Sequence, residues 1–411
     1  MKRTAAFVQE HLKDDTARLI LNKAKWPGIN IDLAVSCIES RSKLKNKVQD
    51  WYDNPELVFP VRLSAEQCSS SATAIYKARL AAEIAGEDMR LADLTGGLGV
   101  DSWYFAKFAS EVLYNEMQEA LCKAAEYNFK ELGTNNIIVS NIEIQPDSPK
   151  LEELLKKFAP DIVFMDPARR SETGKKVFLI EDCTPDVLTL IKDIFTHCRH
   201  LLIKLSPMAD ITMVCSRLGP ACREVHVVGA GGECKELLIW MDREWEGEYT
   251  ITAAELPATY PASEAVILSS RAPEGTTVIS SERSESRDIF LFEPGKAIMK
   301  AGFFNLIRDR FDIEKMGVST HYYLTDSPQK AQELKKYGKI YRILSIHPLD
   351  KRSIKEAGKT YPHSEVTARN IPMDTETLRK KLGVTSGDDA HIFGLKSDKS
   401  GNLLIITRKE L

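Results

Sequence analysis

The chain has 411 residues, 43% hydrophobic and 28% charged, with a formal net charge of −3; at roughly 100 to 200 residues per domain it should form several domains with room for a large core. No apolar run reaches the ~18 residues that a membrane-spanning helix needs. Charges also interrupt the N-terminal MKRTAAFVQEHLKDDTARLI where an export signal would be apolar, so the expectation is a cytoplasmic protein without a membrane partner.

Residues 1 to about 85 read as a helical region, with apolar positions at helical spacing in FVQEHLKDDTARLILNKAK and a break at Pro27-Gly28 before IDLAVSCIES. The KLKNK stretch from Lys43 to Lys47 reads most simply as a solvated helix face, with nucleic-acid contact as the lesser alternative. From Arg90 to about Trp240 short apolar runs alternate with candidate helices: LADL (91–94), EVLYN (111–115), NIIVSN (136–141), DIVFMD (161–166) and HLLIKL (200–205). Such βα repeats predict a doubly wound α/β domain on a parallel sheet. REVHVVG and ECKELLIW, joined by Gly229-Ala230-Gly231-Gly232, predict an antiparallel hairpin at one edge of that sheet. After the acidic DREWEGEY, the runs EAVILSS and TTVISSE around Pro273-Glu274-Gly275 predict a connector hairpin. Residues 288–411 mix strands (DIFLF, KIYRILSI, NLLIITR) with helices (KAGFFNLIRDRF, DTETLRKKLG), as one or two small α+β modules would.

Charge is distributed unevenly: +2 over residues 1–90, −11 over 91–300 and +6 over 301–411. The basic C-terminal part fits a polyanion-binding module, and equally an ordinary solvated surface. The eight cysteines, Cys37, Cys68, Cys122, Cys183, Cys198, Cys215, Cys222 and Cys234, show no paired spacing and argue against disulfides. His197, Cys198 and His200 come nearest to a metal cluster, but without a CxxC partner they read as a helix end entering a strand, and no metal is assigned.

The segment LADLTGGLGVDSW places Asp93 at a strand end, followed by Thr95, Gly96, Gly97 and Gly99 and a helix start near Asp101. Glycines at such a turn let backbone N–H groups approach a small polar ligand. The next strand ends at Asn115-Glu116, and an acidic residue there accepts hydrogen bonds from ribose hydroxyls, so the pair reads as an adenosine site. The loop matches neither GxGxxG nor GxxxxGK[ST], and an acidic residue ahead of the glycines suits the cationic amino end of S-adenosylmethionine (SAM) better than a pyrophosphate; a purely structural glycine turn fits the same residues. Asp166-Pro167 ends the fourth run at the ligand crevice of an open α/β sheet.

Asp93, TGGLG, Glu116 and the fourth-strand DP together resemble a class I SAM-dependent methyltransferase. LSAEQCSSSATAIYKARL (63–80) is similar to the segment ahead of the SAM loop in RNA guanosine N2 methyltransferases such as trimethylguanosine synthase. LFEPGKAIMKAGFF (291–304), YRILSIHPLDKRSIKEAG, SEVTARNIPMDTETLRKKLG and NLLIITRK (within 341–409) resemble the C-terminal half of the bacterial THUMP-like-domain methyltransferases. The resemblance covers nearly the whole chain. It implies a helical N-terminal region (1–85), a Rossmann-like SAM-binding core with a terminal antiparallel hairpin (86–255), a connector and ferredoxin-like domain (256–335) and a THUMP-like domain (336–411). It further implies SAM as cofactor and RNA as partner; nothing marks an obligate protein partner, and a monomer is expected. In this reading Asp93, Thr95, Gly96, Gly97 and Gly99 hold the methionine part, Glu116 the ribose, and Met117, Asn141 and Ile142 flank the adenine.

Base-amine methyltransferases of this class carry [DNS]PP[YFW], whose acid or amide and first proline carbonyl orient the amine while the aromatic stacks on the base. Here Asp166 and Pro167 are kept as the catalytic pair, but Ala168 and Arg169 replace the second proline and the aromatic. Arg169 and Arg170 are candidate substrate ligands, since a guanidinium stacks on bases and holds phosphates; a salt bridge to Glu181 or Asp182 fits them equally. Cys183 lacks the activating neighbours of a pyrimidine C5 nucleophile, and Lys204 reads as a strand-end lysine either snorkelling to solvent or touching substrate. The departure to DPAR leaves two alternatives to an RNA methyltransferase: a catalytically silent SAM- or RNA-binding protein, and a small-molecule methyltransferase.

Overall fold

The computed structural model describes residues 2–169, 179–271 and 288–409. The chain divides into two compact units, one of Met1–His226, Lys235–Thr250 and Tyr260–Ala262, the other of Val227–Cys234, Ile251–Thr259 and Ser263–Leu411.

The first unit opens with six helices: α1 (Lys2–Glu10), α2 (Thr16–Leu21), α3 (Ile31–Leu44), α4 (Gln49–Asp53), α5 (Arg62–Gln67) and α6 (Ser71–Ala85). The apolar faces of α1, α2 and α3 meet in a cluster that includes Phe7, Val8, Leu19, Ile31, Val35 and Ile38. The chain turns well before Pro27, because Asp15 caps α2 by accepting from the N–H groups of Ala17 and Arg18. The KLKNK stretch is not one helix face: α3 ends at Leu44, Asn46 adopts a left-handed φ of 64°, and Lys47 Nζ turns inward to the Glu66 carbonyl at 2.6 Å. Asparagine tolerates that conformation, and it ends the helix there.

Five βα units follow: β1 (Arg90–Asp93), α7 (Val100–Phe105), β2 (Glu111–Asn115), α8 (Glu119–Glu131), β3 (Ile137–Ser140), α9 (Pro149–Phe158), β4 (Ile162–Met165), a short β5–β6 pair (Ala168–Arg169, Cys183–Thr184), α10 (Val187–His197), β7 (His200–Leu205) and α11 (Ile211–Leu218). The predicted strands all form and pair in parallel in the order β3-β2-β1-β4-β7. Their continuous apolar runs are what a sheet covered on both faces demands. The order in which strands are added reverses between β1 and β4, so the crevice at their C-terminal ends is the topological switch point where ligands of such sheets bind.

The predicted hairpin is β8 (Cys222–Ala230) and β9 (Glu233–Asp242), with β9 antiparallel to β7. It is not at the sheet edge: in the second unit the far end of β8 is followed by β10 (Thr250–Leu256) and then β11 (Val266–Arg271). EAVILSS supplies β11, whereas TTVISSE lies outside the described residues. The Ala- and Thr-rich TITAAEL of β10 carries too little apolar signal to be read as a strand.

The second unit continues with β12 (Phe290–Pro294), α12 (Lys296–Ala301), α13 (Phe304–Phe311), β13 (Glu314–Lys315), β14 (Tyr323–Thr325), α14 (Pro328–Leu334), β15 (Gly338–Pro348), α15 (Lys351–Thr360), β16 (His363–Arg369), α16 (Thr375–Leu382), β17 (Thr385–Ser397) and β18 (Gly401–Lys409). These strands form one sheet, β13-β14-β12-β15-β18-β17-β16, in which only β16 and β17 are parallel among the registered pairs. Ile354, Ala357, Leu378 and Leu382 of α15 and α16 bury against Val366, Ile392, Leu404 and Ile406 of the sheet.

Candidate active site

Asp93 closes β1 and is 1% exposed. Its Oδ1 accepts the Thr95 N–H at 3.1 Å and its Oδ2 the Ser102 hydroxyl at 2.5 Å, so the carboxyl ties the loop to the first turn of α7 and builds the loop rather than facing solvent. Burial pushes this carboxyl up to about 7 against the lowering effect of the Ser102 hydrogen bond. A carboxyl that holds its proton more tightly when folded than at its ordinary 3.8 stabilises the fold fully below that value, and the contribution is lost as pH rises through about 7. Between pH 4 and 8 the thermal midpoint of the wild type should therefore fall relative to that of Asp93→Asn; parallel curves would remove the effect.

The glycines serve close packing as much as ligand access. Gly96 N–H donates to the Asn115 carbonyl at 2.7 Å and Tyr114 donates its hydroxyl to the Gly97 carbonyl at 2.6 Å, and a Cβ on Gly96 would meet the Tyr114 ring at 2.2 Å. Gly99 has φ 92°, a conformation that glycine adopts without strain. Glu116, 8% exposed, accepts the Gly97 N–H on Oε2 (3.0 Å) and the Gln118 N–H on Oε1 (2.8 Å), which joins the end of β2 to the loop. Asn141 Nδ2 donates to the carbonyls of Glu116 (2.7 Å) and Met117 (3.0 Å), Ile142 exchanges backbone hydrogen bonds with the Asn115 side chain, and Met117 is 59% exposed. Asp93, Thr95, Gly96, Gly97, Gly99, Glu116, Met117, Asn141 and Ile142 thus meet at one end of β1, β2 and β3.

Thr95 carries the loop across to β4, since its hydroxyl accepts the Asp166 N–H at 2.6 Å. Asp166 in turn receives Lys204 Nζ on Oδ2 at 2.5 Å. Lys204 therefore neither snorkels outward nor stands free; its side chain is only 12% exposed, because the strand-end carboxylate offers a stronger partner than water. Burial works to lower the Lys204 pKa, but the carboxylates of Asp166, Asp101 and Glu236 outweigh it and hold the ammonium above its ordinary range.

Behind this pair lies a charged cluster that the sequence reading missed. Lys77 on α6 is fully buried, donates to Glu236 Oε1 at 2.6 Å and Ser69 Oγ at 3.0 Å, and sits 3.3 Å from Asp101 Oδ1; Ser69 donates to Asp101 Oδ2 at 2.7 Å. The one legible signal was a lysine within the Ala-rich helix SATAIYKARLAAEIA.

Pro167 is buried and Ala168-Arg169 forms β5, opposite Cys183-Thr184. Arg170 lies outside the described residues. Glu181, one suggested partner for the two arginines, pairs with Arg217 at 3.1 Å. Cys183 is fully buried, which suits packing rather than attack on a base.

Residues 338–409 match the family model of THUMP domain-like modules and residues 290–331 that of a ferredoxin-like domain. The chain is similar to the crystal structure of a candidate methyltransferase from Porphyromonas gingivalis W83, with 27% identity and a TM-score of 0.84 over 100% of this chain and 98% of that one. It is more remotely similar to a SAM-dependent methyltransferase from Aquifex aeolicus (16% identity, TM-score 0.29, 42% of this chain and 92% of that one). A candidate methyltransferase from Streptococcus mutans in complex with SAH gives 13% identity and a TM-score of 0.29 over 41% and 95% of the two chains. At that distance neither adds to the first likeness. No curated protein matches the sequence. The fold is that of a class I methyltransferase. The chain is a methyltransferase-fold protein with a helical N-terminal region and, at its C-terminal end, ferredoxin-like and THUMP-like domains.

Proposed function

We propose that the protein is a SAM-dependent methyltransferase acting on RNA. The observation that carries this reading is the junction at the switch point, where the Glu116 carboxylate and the glycine loop meet and Thr95 links that loop to Asp166 on the neighbouring strand. The residues fit SAM. Each Glu116 oxygen uses one lone pair on a backbone N–H and keeps another for a ribose hydroxyl. Thr95, Gly96, Gly97 and Gly99 offer the methionine part a close backbone, with Asp93 holding that loop in shape, and Met117, Asn141 and Ile142 flank the adenine. SAM supplies a methyl group on a cationic sulfur. Asp166 and the Pro167 carbonyl orient the acceptor, and Arg169 and Arg170 bind the nucleic acid around it.

RNA as substrate rests on the basic C-terminal charge and the THUMP-like domain. In that domain α15 presents Lys351, Arg352, Lys355 and Lys359, all exposed. Phosphate contacts release counterions, so RNA affinity of the full chain should fall linearly with salt on a logarithmic scale. Replacing these four residues by glutamate should weaken binding and flatten that dependence; an unchanged slope would locate the RNA elsewhere.

The reading is tested by incubating the protein with radiolabelled SAM and total RNA from a strain lacking the gene, then mapping the labelled nucleoside by mass spectrometry. Label in RNA is expected. Label in metabolites alone would make it a small-molecule enzyme, and no label at all a silent binder.

A further inference from the structure

Resting on the proposed RNA methyltransferase function, we infer that the acceptor atom is a hydroxyl oxygen, in RNA the ribose 2′-hydroxyl, and that Lys204 is a catalytic residue for it. A base-amine site needs two hydrogen-bond acceptors for the two N–H groups and an aromatic face for the base. Here Lys204 Nζ occupies Asp166 Oδ2 at 2.5 Å, and the residue at the position of the stacking aromatic is Arg169. Asp166 and the Pro167 carbonyl remain as acceptors, but Lys204 sets a charged donor beside them. A hydroxyl gives one proton to an acceptor and has a second lone pair to receive the Lys204 donor, whereas an amine commits its one lone pair to the methyl group and leaves that donor without a partner.

Charge points the same way. A neutral amine becomes cationic as it gains a methyl group, so a buried ammonium beside it opposes the reaction. A hydroxyl oxygen becomes more negative as its proton leaves, and the same ammonium stabilises it. Lys204 is held charged by Asp166, Asp101 and Glu236, so it serves as a fixed donor and not as the base. Lys77, clamped by Glu236, Asp101 and Ser69, keeps two of those carboxylates in position. In the transfer step the O–H bond breaks and its proton passes to the Asp166 carboxylate and then to water. The oxygen lone pair forms the new C–O bond while the C–S bond of SAM breaks, the sulfur keeping its electron pair.

The test uses the full-length protein, SAM labelled in the methyl group, and total RNA from a strain lacking the gene, followed by alkaline hydrolysis. A 2′-O-methyl group blocks cleavage of the adjacent phosphodiester, so the label should remain in alkali-resistant dinucleotides. Lys204→Met should lower the single-turnover rate by about 10² or more, the loss seen when one oxyanion donor is removed. Its SAM affinity by calorimetry should stay within about twofold, and Lys204→Arg should recover part of the rate because it restores a cationic donor. Label released as mononucleotides would overturn the hydroxyl assignment and leave the methyltransferase reading intact. Transfer to no RNA with SAM still bound would overturn both. A Lys204→Met rate equal to wild type would remove Lys204 from the chemistry.

Discussion

Lys77→Met should destabilise the first unit by about 3–5 kcal/mol, the range found when one partner of a buried ionic cluster is removed. Methionine fills a similar volume, so the loss is not a cavity effect. It arises because Glu236 and Asp101, 2.6 and 3.3 Å from the missing ammonium, would be left in a poorly solvated interior without their cation. All five tryptophans fall within the first unit, at positions 26, 51, 103, 240 and 245, so their fluorescence during urea unfolding reports that unit selectively. As a control, Lys123→Met breaks a pair whose members are 65% and 69% exposed and should leave the midpoint where it is, since surface pairs contribute little. A Lys77→Met midpoint equal to wild type would mean that water reaches the cluster.

Asp166→Ala should lower methyl transfer on the order of 10²-fold while keeping most SAM affinity, because a misplaced acceptor loses positioning rather than cofactor binding. The substitution leaves the backbone bond from residue 166 to Thr95 Oγ1 available, so the glycine loop keeps its tie to β4. Single-turnover rates and calorimetry on one preparation separate the roles. An unchanged rate would reduce Asp166 to a turn residue beside Pro167, and lost SAM binding would make it a cofactor ligand.

How much of this was legible in the sequence follows from what each feature depends on. The five parallel strands are continuous apolar runs, and burial on both faces leaves that pattern in any short window. The glycine loop and Glu116 were legible for a similar reason: a close backbone turn and an acidic strand end are local requirements. Strands whose burial depends on a partner were not. β16, HSEVTAR, buries a serine and an alanine alongside its valine, and β17 begins with the polar TSGDDA before its apolar half. The charged cluster was least legible, because Lys77 and Glu236 are 159 positions apart and meet only once α6 has packed onto the sheet. The ion pair of Lys204 was not legible either: a strand-end lysine reads as snorkelling or touching substrate, and carries no sign of the carboxylate that receives it.

The most direct test of SAM at this loop is a calorimetric titration of SAM into wild-type protein and Glu116→Ala. Wild type should bind one equivalent. The variant, having lost hydrogen bonds to a charged partner worth about 1.5 to 3 kcal/mol, should bind roughly tenfold more weakly or worse. Equal affinities in the two proteins, or no binding by the wild type, would contradict the assignment of this crevice as a SAM site.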